Sequence, residues 1–79
     1  MTKILIVDDD DLALEALHHM LTGAGYKVVT KTNGVEALKE LQEGECRLVV
    51  SDWMMPEMDG AELCRQIRQR DFPGYVYVI

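Results

Sequence analysis

A chain of 79 residues is long enough for one small domain and too short for two. An apolar share of 48% argues against wholesale disorder, and a net charge of −6 argues against nucleic acid or an anionic membrane as the direct partner of this segment. A domain of this size buries only roughly 60–65% of the surface its unfolded chain exposes, so a metal, a disulfide or a partner is expected to support it.

Residues 3 to 7, KILIV, form a short β-branched run closed abruptly by acids, the pattern of a strand buried on both faces. From Asp11 to Leu21, Leu14, Leu17 and Leu21 fall at helical spacing, with Ala13, Ala16 and Met20 widening the stripe. Gly23 and Gly25 punctuate the end of this helix. YKVVTKT, 26 to 32, alternates more and carries two lysines, which predicts an edge strand. Asn33 with Glu36 three residues on predicts a reciprocal capping box, opening a helix through Ala37, Leu38 and Leu41 that Gly44 closes. RLVVS, 47 to 51, reads as a second buried strand. Asp59 and Glu62 repeat the capping arrangement ahead of a helix through Leu63 and Ile67. FPG, 72 to 74, predicts a turn, and YVYVI, 75 to 79, a fourth strand.

The order β-α-β-α-β-α-β predicts an α/β fold: a doubly wound, mostly parallel sheet with helices on both faces. In such sheets the site lies beyond the carboxyl ends of the strands, where the strand order reverses. Two predicted strands end in acid there. The first runs into Asp8 and Asp9, with Asp10 and Asp11 entering the following helical turn, and the third runs into Asp52. If those strands are neighbours, Asp8, Asp9 and Asp52 meet, and their mutual repulsion raises their pKa values. A hard divalent cation relieves it. Mg²⁺ takes oxygen ligands, keeps several waters and leaves room for a phosphoryl group, so Asp52 is the expected nucleophile. For Asp10 and Asp11 helix capping and the helix dipole compete with any role in the site.

ILIVDDD followed by VVSDWMMPEMDGAELCRQIR resembles the receiver domain of two-component response regulators, the phosphoaspartate switches of bacterial signalling. The resemblance runs along the whole chain. It implies the flavodoxin-like topology with strand order 2-1-3-4 over the portion present. It implies that Asp52 is the phosphoacceptor, that Asp8 and Asp9 hold Mg²⁺ directly or through water, and that the backbone carbonyl of Met54 completes the metal site. Pro56 and Asp59-Gly60 match the loop that shapes the site. A sensor histidine kinase, or a small donor such as acetyl phosphate, would supply the phosphoryl group. The family's switch hydroxyl, its lysine, its fifth strand and its last two helices have no counterpart here, so residues 1–79 read as a single partial receiver domain. The fourth strand would then leave an apolar edge through which the chain is expected to self-associate.

Other features read as structural. Met55 and Met58 suit loop anchoring, and Trp53 suits a partly exposed neighbour of the site. His18 and His19 point about 100° apart on the first helix and read as surface residues. The basic run 65 to 70 suits a helix end. Cys46 and Cys64 form no C-x-x-C pattern and read as reduced thiols of a cytoplasmic protein, and no signal peptide or membrane span is apparent. Two other functions compete. Asp8-x-Asp10 after a buried strand loosely resembles the start of haloacid dehalogenase phosphatases, although Leu12 stands where threonine or valine is usual. A receiver-like interaction module that never carries phosphate is the third.

Overall fold

Lys3–Val7 (β1) is the strand around which the rest is arranged, because it is paired on both sides. A computed structural model describes residues 3–44, 46–52, 58–70, 72 and 75–79 of the chain. Within these residues β1 is followed by α1 (Asp11–Gly23), β2 (Lys27–Lys31), α2 (Gly34–Glu43), β3 (Leu48–Ser51), α3 (Gly60–Gln69) and β4 (Tyr77–Val78). The four strands form one parallel sheet in the order β2-β1-β3-β4, as the resemblance to receiver domains implies.

Side chains alternate between the two sheet faces along each strand. Leu5 and Val7 point to one face, where they meet Val49, Val76, Ala37, Leu38, Leu41, Cys46, Leu63 and Ile67 in the larger core cluster beneath α2 and α3. Ile4 and Ile6 point to the other face and pack under Leu14 of α1, with half-buried Leu17, Leu21, Val28, Leu48 and Val50 around them.

Several boundaries depart from the sequence expectations. β4 covers only Tyr77–Val78 instead of 75 to 79, because Tyr77 pairs with Leu48, the first residue of β3, and the residues before it have no ladder partner. β2 is trimmed at both ends, since the Tyr26 amide is already donated to the Leu21 carbonyl at 3.1 Å. α1 runs on through Gly23, and Gly25, at φ +97°, is the residue that takes the left-handed conformation. The apolar stripe of α1 is also narrower than its sequence suggests. Met20 is 66% exposed and Ala16 is exposed, so Leu14, Leu17 and Leu21 carry the contact. Both helix starts at Asn33 and Asp59 are capped, each side chain accepting the amide three residues on, at 2.9 and 2.8 Å. The reciprocal half of the box forms at neither Glu36 nor Glu62, and the Glu62 carboxylate turns instead to Arg65 and Gln66. The turn at Pro73-Gly74 lies outside the described residues.

Candidate functional site

The site follows from strand register. β1 and β3 run parallel with Val7 opposite Ser51, so Asp8 and Asp52 leave the sheet side by side. The ladder continues one step past each strand: the Asp52 amide donates to the Val7 carbonyl at 2.9 Å, and the Asp8 amide donates to the Lys31 carbonyl at 3.1 Å. Asp9 sits next in the chain, exposed. One carboxylate oxygen from each of Asp8, Asp9 and Asp52 lies within 4.8 Å of the others. Nothing but carboxylate oxygen is offered by these three side chains, which is the donor chemistry of a hard divalent cation and not of a soft metal.

The four consecutive acids divide their work. Asp8 Oδ1 accepts the Asp10 amide at 2.9 Å, which holds the Asp8 carboxylate over the end of β1. Asp10 is the N-cap of α1 and accepts the Leu12 amide at 3.0 Å, and Asp11 is the acid of the first turn. Asp10 and Asp11 thus serve the helix, while Asp8 and Asp9 face Asp52. The Asp8 carboxyl is held above its ordinary pKa. Burial is the leading cause. The Asp10 amide pulls the other way, and the negative charges of Asp52, Asp9 and Asp10 add to the rise. Repulsion among the acids is therefore real at Asp8 but secondary to desolvation, where the sequence suggested that it would lead.

Two residues beside the site carry little signal in the sequence. Ser51 is a buried polar residue whose Oγ donates to the Asp52 carbonyl at 2.9 Å, satisfying its hydroxyl and tying down the backbone of the acid. Gly34, the first residue of α2, lies against Met58: a Cβ added there would stand 2.7 Å from Sδ and 3.0 Å from the Met58 Cβ. The Asn-Gly pair at a helix start hints at a turn but not at this contact. Asp59 caps α3 and Gly60 is buried. Trp53, Met54, Met55 and Pro56 lie outside the described residues, so the carbonyl expected from Met54 has no observed position. His18 and His19 are exposed on α1, their rings edge to face at 6.1 Å, and neither belongs to the acidic cluster. Cys46 is a free, buried thiol whose pKa is pushed up by burial, and Cys64 is free and half-buried.

Comparison with known proteins agrees with this geometry. Residues 4–79 match the family model of the response regulator receiver domain. The alkaline phosphatase synthesis transcriptional regulatory protein PhoP of Bacillus subtilis is 43% identical over 68 residues, covering 86% of this chain and 28% of its own length. The chemotaxis response regulator CheY4 of Vibrio cholerae superposes with a TM-score of 0.91 at 33% identity, covering 99% of this chain and 65% of its own. The response regulator TrrA of Thermotoga maritima, solved with Mg²⁺ and BeF, gives a TM-score of 0.83 at 40% identity over 87% of this chain and 60% of its own. TrrA in complex with the histidine kinase ThkA gives 0.84 at 39% identity, over 90% of this chain and 61% of that one. The chain thus spans less than a third of the PhoP relative and under two thirds of these structures. Sheet order, register and the family match agree: the chain belongs to the response regulator receiver domain family.

Proposed function

We propose that Asp52 is a phosphoacceptor and that the chain is a signalling switch, not a metabolic enzyme. The observation that carries this reading is the convergence of Asp8, Asp9 and Asp52 at the carboxyl ends of two adjacent parallel strands. Asp8, Asp9 and Asp52 would hold Mg²⁺, with the Met54 carbonyl completing the set. When bound, the ion supplies positive charge that offsets the negative charge of the site and of the incoming phosphoryl oxygens. An oxygen of the Asp52 carboxylate attacks phosphorus, forming an acyl phosphate. The bond from phosphorus to the donor breaks, and its electron pair leaves with the donor, an imidazole nitrogen of a histidine kinase or the acetate of acetyl phosphate. The TrrA structures with Mg²⁺ and BeF and with ThkA support the choice of ion and of donor by likeness.

The Ser51 hydroxyl and the ladder bond to Val7 fix the Asp52 backbone, which keeps the nucleophile aimed off the strand end. We take residues 1–79 as one partial receiver domain of a cytoplasmic protein. Among the described residues no helix is long and apolar enough to cross a membrane. We also propose that the isolated chain self-associates. Among the described residues β4 pairs only with β3, and Tyr75, Tyr77 and Ile79 are 62%, 61% and 68% exposed along one face. Light scattering that finds a stable monomer at tens of micromolar would remove that part of the reading.

The central test is mass spectrometry after incubation with acetyl phosphate and Mg²⁺. The adduct is expected to map to Asp52, and Asp52→Asn is expected to abolish it. An adduct mapping to Asp8 would favour the aspartate phosphatase chemistry instead. No adduct, together with no response to millimolar Mg²⁺, would favour an interaction module without phosphate.

A further inference from the structure

A groove of about 410 Å³ lies between α2 and α3, and none of Asp8, Asp9 and Asp52 lines it. Its floor is apolar: Val35 and Leu38 from α2, and Met58 from the residue pair that leads into α3. Its charged lining residues are Lys39 and Arg70. Val35, Leu38 and Lys39 stand three and four apart on one face of α2, and Gln66 and Arg70 stand four apart on α3, so both helices present these residues to the same gap.

Two facts give the groove a preference. The chain carries 14 acidic residues against 8 basic ones, yet none of the described residues lining the groove is acidic. Among the described residues, neither Lys39 nor Arg70 forms an ion pair; the pairs present are Lys31 with Glu40 and Arg65 with Glu62. Glu62, which accepts a bond from the lining residue Gln66, is paired with the Arg65 guanidinium at 2.6 Å. The gap therefore joins an exposed apolar floor, with Val35 54% exposed, to two cations on a protein that is otherwise negative.

We propose that the α2–α3 groove docks a short acidic segment of a partner protein, anchored by one bulky apolar side chain. The apolar anchor fits over Val35, Leu38 and Met58. Carboxylates on either side reach Lys39 and Arg70, and Gln42 and Gln66 provide amides for the peptide backbone. A free phosphate would leave the apolar floor unused. A long polyanion would meet the chain's net charge of −6 beyond the groove. A segment with only a few carboxylates stays within the roughly 8 Å over which the two cations act at physiological salt.

The test needs neither Mg²⁺ nor a phosphodonor, so its outcome is independent of the function proposed for Asp52. A short fluorescent peptide of repeating Glu-Glu-Leu units is titrated into the full chain and followed by anisotropy, with amide chemical shifts mapping the contact. Saturable binding is expected, with shifts at Val35, Lys39, Gln42, Gln66 and Arg70. Lys39→Glu with Arg70→Glu is expected to weaken it by at least about tenfold. Lys31→Glu, outside the groove, is expected to leave affinity within about twofold. Circular dichroism confirms that each variant is folded. A Lys-Lys-Leu peptide that binds equally well would overturn the proposal. So would unchanged affinity in the double variant, shifts confined to the Tyr75 and Tyr77 face, no binding at all, or binding to anionic phospholipid vesicles in place of the peptide.

Discussion

The two faces of the sheet are built to different standards. Beneath α2 and α3, ten buried residues form one cluster that includes Leu5, Leu41, Leu63 and Ile67, all nearly free of solvent contact. Beneath α1, among the described residues, only Ile4, Ile6 and Leu14 are buried, and the ring around them is half-exposed. The residues continuing that second face onto β4 are Tyr75, Tyr77 and Ile79, and they stand in solvent. Stability is therefore concentrated on one face, while the acidic cluster sits at the end of the strands that both faces share. A change that weakens the α2–α3 face should unfold the domain, and a change on the α1 face should mostly alter what it meets.

The strongest way to break this contrast is to truncate one leucine on each face. Leu63→Ala is expected to cost about 2–5 kcal/mol, a large share of a small domain's stability. Leu17→Ala, half-buried on α1, is expected to cost roughly 1 kcal/mol. Urea denaturation of both variants decides it, and equal losses would dissolve the distinction.

Gly34→Ala comes next. Alanine should favour the helix by about 1 kcal/mol, but its methyl would press on Met58. A net loss of about 1–3 kcal/mol is expected. Met58→Ala placed on top of it should restore part of the loss, and strict additivity of the two changes would rule out the contact as the cause.

Smaller effects belong to the acids and the open face. Asp9→Asn is expected to raise the melting temperature of the metal-free protein by a few degrees and to weaken stabilisation by added Mg²⁺. Thermal melts with and without the ion measure both, and a lower metal-free melting temperature would contradict the mutual repulsion. Tyr77→Thr keeps a strand-forming residue and should change stability by no more than about 0.5 kcal/mol while reducing self-association. Light scattering with an unaltered mass distribution would clear β4 of that role.

The smallest effect is one of pH. The Asp8 carboxyl titrates above its ordinary value in the folded state, so the native protein holds this proton more tightly than the unfolded chain does. The contribution to stability is fully present below the ordinary carboxylate range and is lost as pH rises through the raised folded value. Asp8→Asn should flatten that part of the metal-free stability profile, which urea midpoints across the mildly acidic range would reveal.

Most of this fold was legible because each signal was local. KILIV and RLVVS announce buried strands by composition, and Asn33 and Asp59 announce helix starts by a single side chain. The acid cluster was legible as a conditional statement: it needed β1 beside β3, and the sheet provides that. What stayed hidden depends on partners far away in sequence. Met20 looks like core until α1 is laid on the sheet by Leu14, Leu17 and Leu21, which leaves Met20 66% exposed. Glu62 looks like half of a capping box until Arg65 competes for it. β4 looks five residues long until its ladder to β3 begins only at Tyr77. The dominance of burial in the Asp8 shift likewise depends on how deep the strand end lies, which no spacing rule encodes.

The pairing of Val7 with Ser51 has a wider consequence. Because side chains alternate along a strand, sliding β3 past β1 by a single residue would send Val49 to the wrong face and carry Asp52 away from Asp8 in the same movement. Core formation and assembly of the acidic triad are thus one event, and a misaligned sheet has neither. An insertion or deletion inside either strand is therefore expected to disrupt fold and acidic cluster together.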